Sequence, residues 1–199
     1  MQAEGSAVSA LAAWTAAGMP AHQIVLGVAG YGHSYYVDPI AALTSNKLNI
    51  YPAFNASEQP LGDASDNTTN MDVCGVVSGP SGVFDLWGLI NVGFLNVNGS
   101  AANGIHYIFD WCSQSEPDDT QPFVYNQTSQ VMVSFDNAQS FEAKGGFIAK
   151  NNLRGFAISG RRAATTRTSS LTQYAPPRAS PTRAASAEYR TDCVPPLTP

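Results

Sequence analysis

The sequence predicts an α/β fold interrupted by a small α+β insert, and three observations carry that prediction. An alanine-rich helical run leads into an apolar strand within residues 6–35, and a second helix-then-strand unit closes residues 131–158. The stretch between them is rich in Gly, Asn, Asp, Ser and aromatic residues. A helix followed by a strand that is apolar on both faces is half of a repeating parallel α/β unit. The chain therefore divides into residues 1–35, an insert at 36–130, a return at 131–158, and a tail at 159–199.

Each element has a local cause. Residues 6–17 hold no Gly or Pro, are dominated by Ala, and stop at Gly18 and Pro20, which is a helix with its terminator. Ile24-Val25-Leu26-Gly27-Val28-Ala29 reads as a strand buried on both faces, and glycines alternating with Tyr31 and His33 mark where the chain leaves that sheet. Polar side chains at the C-terminal end of a parallel strand commonly face a ligand. Tyr31 and His33 are thus the first site candidates; in the other reading Tyr31 caps the core and His33 is solvated. Within the insert, Gly62-Asp63, Gly79-Pro80, Asn98-Gly99 and Asn103-Gly104 signal turns, and Gly104-Ile105-His106-Tyr107-Ile108-Phe109-Asp110 alternates as a half-buried strand does. Asp136-Asn137 offers a helix cap, residues 138–150 read as helix, Asn151-Asn152 ends it, and Gly155-Phe156-Ala157-Ile158 begins a strand.

Charge narrows the partners. Six of the ten Lys and Arg follow residue 158, leaving four basic against 13 acidic side chains in residues 1–158. So acidic a body excludes nucleic acid and an anionic membrane surface as partners. No apolar run reaches the roughly 20 residues of a membrane span. The opening residues have neither a basic start nor an apolar stretch, so no signal peptide is expected within the chain. Asn55, Asn67, Asn98 and Asn126 each head an Asn-x-Ser/Thr acceptor for glycosylation, which together with Cys74 and Cys112 predicts a secretory history. His22, His33 and His106 are dispersed without ligand spacing, and no phosphate loop occurs, so no metal or cofactor is expected.

Trp14-(x)3-Gly18-Met19-Pro20-(x)3-Ile24-Val25-Leu26-Gly27-Val28-(x)2-Tyr31-Gly32-His33-Ser34 closely resembles the helix and seventh barrel strand of glycoside hydrolase family 18 chitinases, above all the fungal, killer-toxin-like type. Val131-Met132-Val133-Ser134-Phe135-Asp136-Asn137-Ala138-Gln139-Ser140-Phe141-(x)2-Lys144-Gly145 is similar to that family's return into the barrel, and Leu153-Arg154-Gly155-Phe156-Ala157-Ile158 to its eighth strand. The resemblance implies a partial (β/α)8 TIM barrel, last strands only, with the insert forming one wall of a sugar cleft. It also implies chitin or chito-oligosaccharide as the partner and an extracellular full-length relative. Tyr31 and His33 then hold substrate by hydrogen bonding and stacking. Among the insert aromatics that offer apolar faces to sugar rings (Trp87, Tyr107, Phe109, Trp111, Phe123 and Tyr125), Trp111 is the candidate binding residue. Cys74 and Cys112 either close a disulfide in this loop-rich insert or remain two buried thiols.

Family enzymes protonate the leaving oxygen with a glutamic acid in Asp-x-x-Asp-x-Asp-x-Glu, and this sequence has no such motif. A chain of 199 residues is also shorter than the roughly 250 of a complete barrel. The expectation is therefore a catalytically incomplete fragment of a chitinase-like protein; alternatives are a non-catalytic chito-oligosaccharide-binding module or a non-functional gene fragment. For a substitute acid, Asp38, Asp110 and Asp136 lie nearest the cleft segments.

Residues 159–199 are dense in Arg, Ala, Ser, Thr and Pro, a composition that favours disorder. Read one base earlier, codons for residues 165–175 are compatible with Asp-Tyr-Glu-Asp-Ile-Leu-Leu-Asp-Ser-Ile-Arg, and those for Ser159-Gly160 with a tryptophan. Both resemble what the family carries after its eighth strand. The tail is accordingly expected to be out of frame.

Overall fold

A computed structural model describes residues 6–66, 69–110 and 121–159. In chain order the elements are α1 (Ala7–Ala16), β1 (Val25–Ala29), β2 (Tyr31–Tyr36), α2 (Pro39–Ala42), β3 (Leu43–Thr44), β4 (Lys47–Leu48), β5 (Asn70–Met71), β6 (Val77–Ser78), β7 (Val83–Asp85), α3 (Leu86–Asn91), β8 (His106–Asp110), β9 (Gln121–Asn126), β10 (Val131–Ser134), α4 (Ala138–Lys150) and β11 (Gly155–Ser159).

The two flanking units fold for the reasons their sequences state. Ser6 caps α1 by accepting a hydrogen bond from Ser9 N–H, and the helix ends at Gly18, whose φ of +94° suits glycine. Asn137 caps α4 in a reciprocal box with Ser140. The strands that follow these helices, β1 and β11, pair in parallel, from Val25 opposite Gly155 to Ala29 opposite Ser159.

One expectation needs correction. The apolar run in β1 is not buried on both faces: only Val28 is buried, while Val25 is 45% exposed. β1 has β11 as its one neighbour among the described strands, and α1 buries none of its residues, so little covers the run. After Gly30 the chain leaves the β1–β11 sheet, as the glycines predict. It turns into β2, a strand of a five-stranded antiparallel sheet in the order β7-β2-β10-β9-β8. Gly32 permits the fit, because a Cβ there would lie 2.4 Å from the Ser134 carbonyl oxygen and 2.7 Å from Phe135 Cβ.

Residues directly opposite in register share a face, which sorts the sheet into two. One face presents Phe84, Val124, Val131 and Val133 to Leu89, Phe94 and Leu95 from α3 and the loop after it. The other presents Tyr31, His33, Tyr35, Met132, Ser134, Phe123 and Tyr125. Val37, Ala42 and Leu48 cover the Tyr125 end of that second face, and the Tyr125 hydroxyl donates to the Val37 carbonyl at 2.9 Å. The His33 end stays open.

Candidate functional site

That open end carries a cavity of about 420 Å³ lined by Tyr31, His33, Ser65, Asp66, Ser81, Val83 and Ser159. Ser159 is the last residue of β11, and its carbonyl accepts from Gly30 N–H at 2.8 Å, so the cavity lies just beyond the C-terminal ends of the parallel pair. Ligands of α/β folds bind at that position. The Tyr31 and His33 rings meet edge to face, 5.4 Å between centroids. His33 faces Val83 on one side and Ser134 on the other.

Asp66 is the carboxylate among the described lining residues. Burial alone raises its pKa, yet the Ser81 hydroxyl (2.7 Å) and the backbone N–H groups of Val83 (3.0 Å) and Ser81 (2.9 Å) donate to it and prevail, holding it below its ordinary 3.8. It is therefore ionised at neutral pH. Asp63 pins the same loop, accepting from the N–H groups of Ser65 and Asp85, each at 2.8 Å. A hydroxyl, an imidazole, small polar groups and one fixed anion suit a neutral or cationic polar ligand and repel an anionic one.

A second cleft of about 410 Å³ opens on the same face, with Tyr35, Tyr51, Phe54, Phe123, Met132 and Ser134 among its lining. Phe54 lies against Tyr35 (5.0 Å) and Tyr51 edge-on to Phe123 (5.5 Å). His33 and Ser134 are opposite each other in register, one lining each cavity, so the two adjoin.

Tyr31 and His33, both named as site candidates, line one cavity. Trp111 and Cys112 lie outside the described residues, as do Asn67 and the tail beyond Ser159. Cys74 is exposed rather than a buried thiol, and its proposed disulfide partner, Cys112, lies outside the described residues. Cys74 sits in the tight turn between β5 and β6, where Asp72 accepts from Cys74 and Val76 N–H groups and the side chain projects into solvent. Of the proposed stacking aromatics, Phe123 lines the apolar cleft, Trp87 is exposed on α3, and Tyr125 is fully buried. Burial, with the Asp38 charge behind it, pushes the Tyr125 phenol upward; burial raises that of Tyr107, which bonds to Asn137.

The proposed substitute acids have other roles or places. Asp38 caps α2, and Asp136 accepts from Lys144 and Ser140. Asp110 is buried at the end of β8. Sequence reasoning missed Ser65, Asp66 and Ser81, whose one signal was the turn chemistry around Gly62-Asp63 and Gly79-Pro80, and it missed Tyr35, Tyr51 and Phe54 altogether. Among the described residues no group of His, Cys, Asp or Glu is arranged to hold a metal, and no helix is long and apolar enough to cross a membrane.

Residues 2–158 match the family described as glycosyl hydrolases family 18, and the chain belongs to that family. It is 43% identical over 157 residues to a chitinase-like effector of Moniliophthora perniciosa, covering 78% of this chain and 34% of that protein. A chitinase-like effector of Moniliophthora roreri is 40% identical over 158 residues, covering 78% and 37%. The chain thus spans about a third of the length of these relatives. Among solved structures, the chitinase RmChi1 of Rhizomucor miehei superposes with a TM-score of 0.59 at 27% identity, covering 77% of this chain and 38% of that one. Human YKL-39, described as a pseudo-chitinase with retained chitooligosaccharide-binding properties, shares the fold at 18% identity with a TM-score of 0.52, covering 79% and 34%.

Proposed function

We propose that this chain is part of a chitinase-like protein that binds chito-oligosaccharides in the Tyr31–His33 cavity and does not itself cleave them. The observation that carries the reading is the cavity beyond the ends of the parallel pair, where the Tyr31 and His33 rings meet beside the Asp66 carboxyl. A glycosidic leaving group needs a carboxylic acid still protonated near neutral pH, its pKa raised by its surroundings. The carboxyl beside Tyr31 and His33 is held in the opposite direction. Tyr31 offers a hydroxyl and an aromatic edge, His33 a ring nitrogen, and both suit the hydroxyls and acetamide of an N-acetylglucosamine unit. The effector relatives, named chitinase-like, accord with this reading.

The same proposal takes β1 and β11 as the last two strands of a (β/α)8 barrel, with the antiparallel sheet inserted between them. Their parallel register and the coverage of 38% of RmChi1 support it. An extracellular destination belongs to the proposal too, resting on Asn55, Asn98 and Asn126, of which the first two are exposed.

Retention on chitin beads tests the reading, with His33→Ala as the site variant. The native chain is expected to be retained, the variant to wash through, and neither to release 4-methylumbelliferone from its chitobioside. Equal retention of both, or release by the native chain, contradicts it.

A further inference from the structure

We infer that Asn103 is a site of spontaneous covalent modification, converting to aspartyl and isoaspartyl residues by attack of its own backbone, and that the fold protects Asn98 from the same reaction. Both residues head an Asn-Gly pair in a turn of the insert, so the local sequence does not separate them.

The reaction begins when the backbone nitrogen of the glycine attacks the carbonyl carbon of the preceding Asn side chain. A bond forms between that nitrogen and Cγ, the Cγ–Nδ2 bond breaks, and the side-chain amide leaves as ammonia, carrying the proton the backbone nitrogen gave up. Water then opens the resulting cyclic imide at one of its two carbonyls. One opening leaves aspartate; the other leaves an isoaspartyl residue, with the chain routed through the side chain. Water is the one co-reactant. What the site must supply is a following residue without a side chain, a backbone N–H free to react, and an Asn side chain free to turn.

Asn103 and Gly104 meet all three conditions. They are the exposed central residues of a turn closed by Ile105 N–H donating to the Ala102 carbonyl at 3.1 Å, with Gly104 at φ +80°, the marks of a type II turn. Among the described residues neither the Gly104 N–H nor the Asn103 side chain has a hydrogen-bond partner, and a Cβ built on Gly104 would meet nothing within 4 Å.

Asn98 differs at each reacting group. Gly99 N–H donates to the Asn96 carbonyl at 2.8 Å, which engages the proton that must leave. Asn98 Oδ1 accepts from Ser100 N–H (3.1 Å) and from the Ser100 hydroxyl (2.7 Å), which fixes the carbonyl that must be attacked. The Asn96 side chain braces the same loop by donating to Ser100 Oγ at 3.0 Å and to the Ala101 carbonyl at 2.9 Å. At Asn103 the product puts a negative charge, and in the isoaspartyl form an additional backbone atom, between Ala102 and Ile105, where the chain enters β8.

Peptide mapping by mass spectrometry tests the assignment on the whole chain, produced without glycosylation and held for days at neutral pH, folded and in concentrated guanidinium chloride. In the folded chain the mass gain of amide-to-acid conversion should accumulate at Asn103 about tenfold faster than at Asn98, the factor expected when a further hydrogen bond must open before attack. In denaturant the two rates should converge. Asn103→Gln should abolish the fast conversion and leave the Asn98 rate unchanged. Equal rates at the two sites in the folded chain, or a tenfold gap that persists in denaturant, overturns the inference.

Discussion

At Asp66 the balance of two opposed effects decides what the cavity can do. Burial favours the neutral acid, and the donors from Ser81 and Val83 favour the anion and win. Because the folded pKa lies below the unfolded one, Asp66 stabilises the fold fully above about pH 4, and that contribution disappears as the pH falls through the folded value. Asp66→Asn is therefore expected to flatten the acid limb of a stability-against-pH curve measured by urea unfolding between pH 2 and pH 6; an unchanged acid limb would refute it. Gly32 is the second residue on which the site depends. Gly32→Ala places a methyl against the Ser134 carbonyl and Phe135, an overpacking that should cost about 2 kcal/mol in denaturant unfolding. The spacing Tyr31-Gly32-His33 was legible as a candidate site; its reason, the close passage of β10, was not. Asp66 could not be read at all, since 33 to 66 is a separation that only the folded loop closes.

At the level of elements, local signals were read correctly where they were self-contained. α1 and α4 appear where capping residues and stops placed them, and the alternating run before Asp110 became β8. For α4, the reciprocal cap predicts that Asn137→Ala lowers stability by about 1 kcal/mol in the same unfolding measurement, and that Asn137→Ser restores most of it. β1 was misread because an apolar run reports what a strand is suited to, whereas its burial depends on neighbours: Val25 is suited to a core and stands 45% exposed. The exit from the first sheet at Gly30 was legible, but that the next residues form a strand was not, because it is tertiary pairing to β10 and β7 that makes them one. The turns make a separate prediction. Ser57 and Ser100 donate hydroxyl hydrogen bonds to the side chains of Asn55 (2.6 Å) and Asn98 (2.7 Å), both exposed, whereas Asn126 is half-buried at the end of β9. Secreted from a eukaryotic host, the chain should carry glycans at Asn55 and Asn98 in greater occupancy than at Asn126, read by glycopeptide mass spectrometry.

For the whole molecule, the family fold is compatible with the proposed binding without cleavage, because binding and cleavage depend on different residues. The parallel pair and the antiparallel sheet place Tyr31, His33, Asp66 and Ser159 around one space, the one proposed to take the sugar. Protonating a leaving oxygen requires a carboxyl of raised pKa, and Asp66 is shifted the other way. The family match stops at residue 158, where the composition also turns to Arg, Ala, Ser and Thr. This supports the proposal that the tail is out of frame, and transcript sequencing across codons 150–199 should show the tryptophan-bearing alternative frame one base away. The central claim is most directly tested by titrating the native chain with the N-acetylglucosamine tetramer in a calorimeter and then analysing the cell contents by mass spectrometry. Saturable binding with the tetramer recovered intact is the predicted result; dimer or monomer in the cell, or no heat of binding, would contradict it.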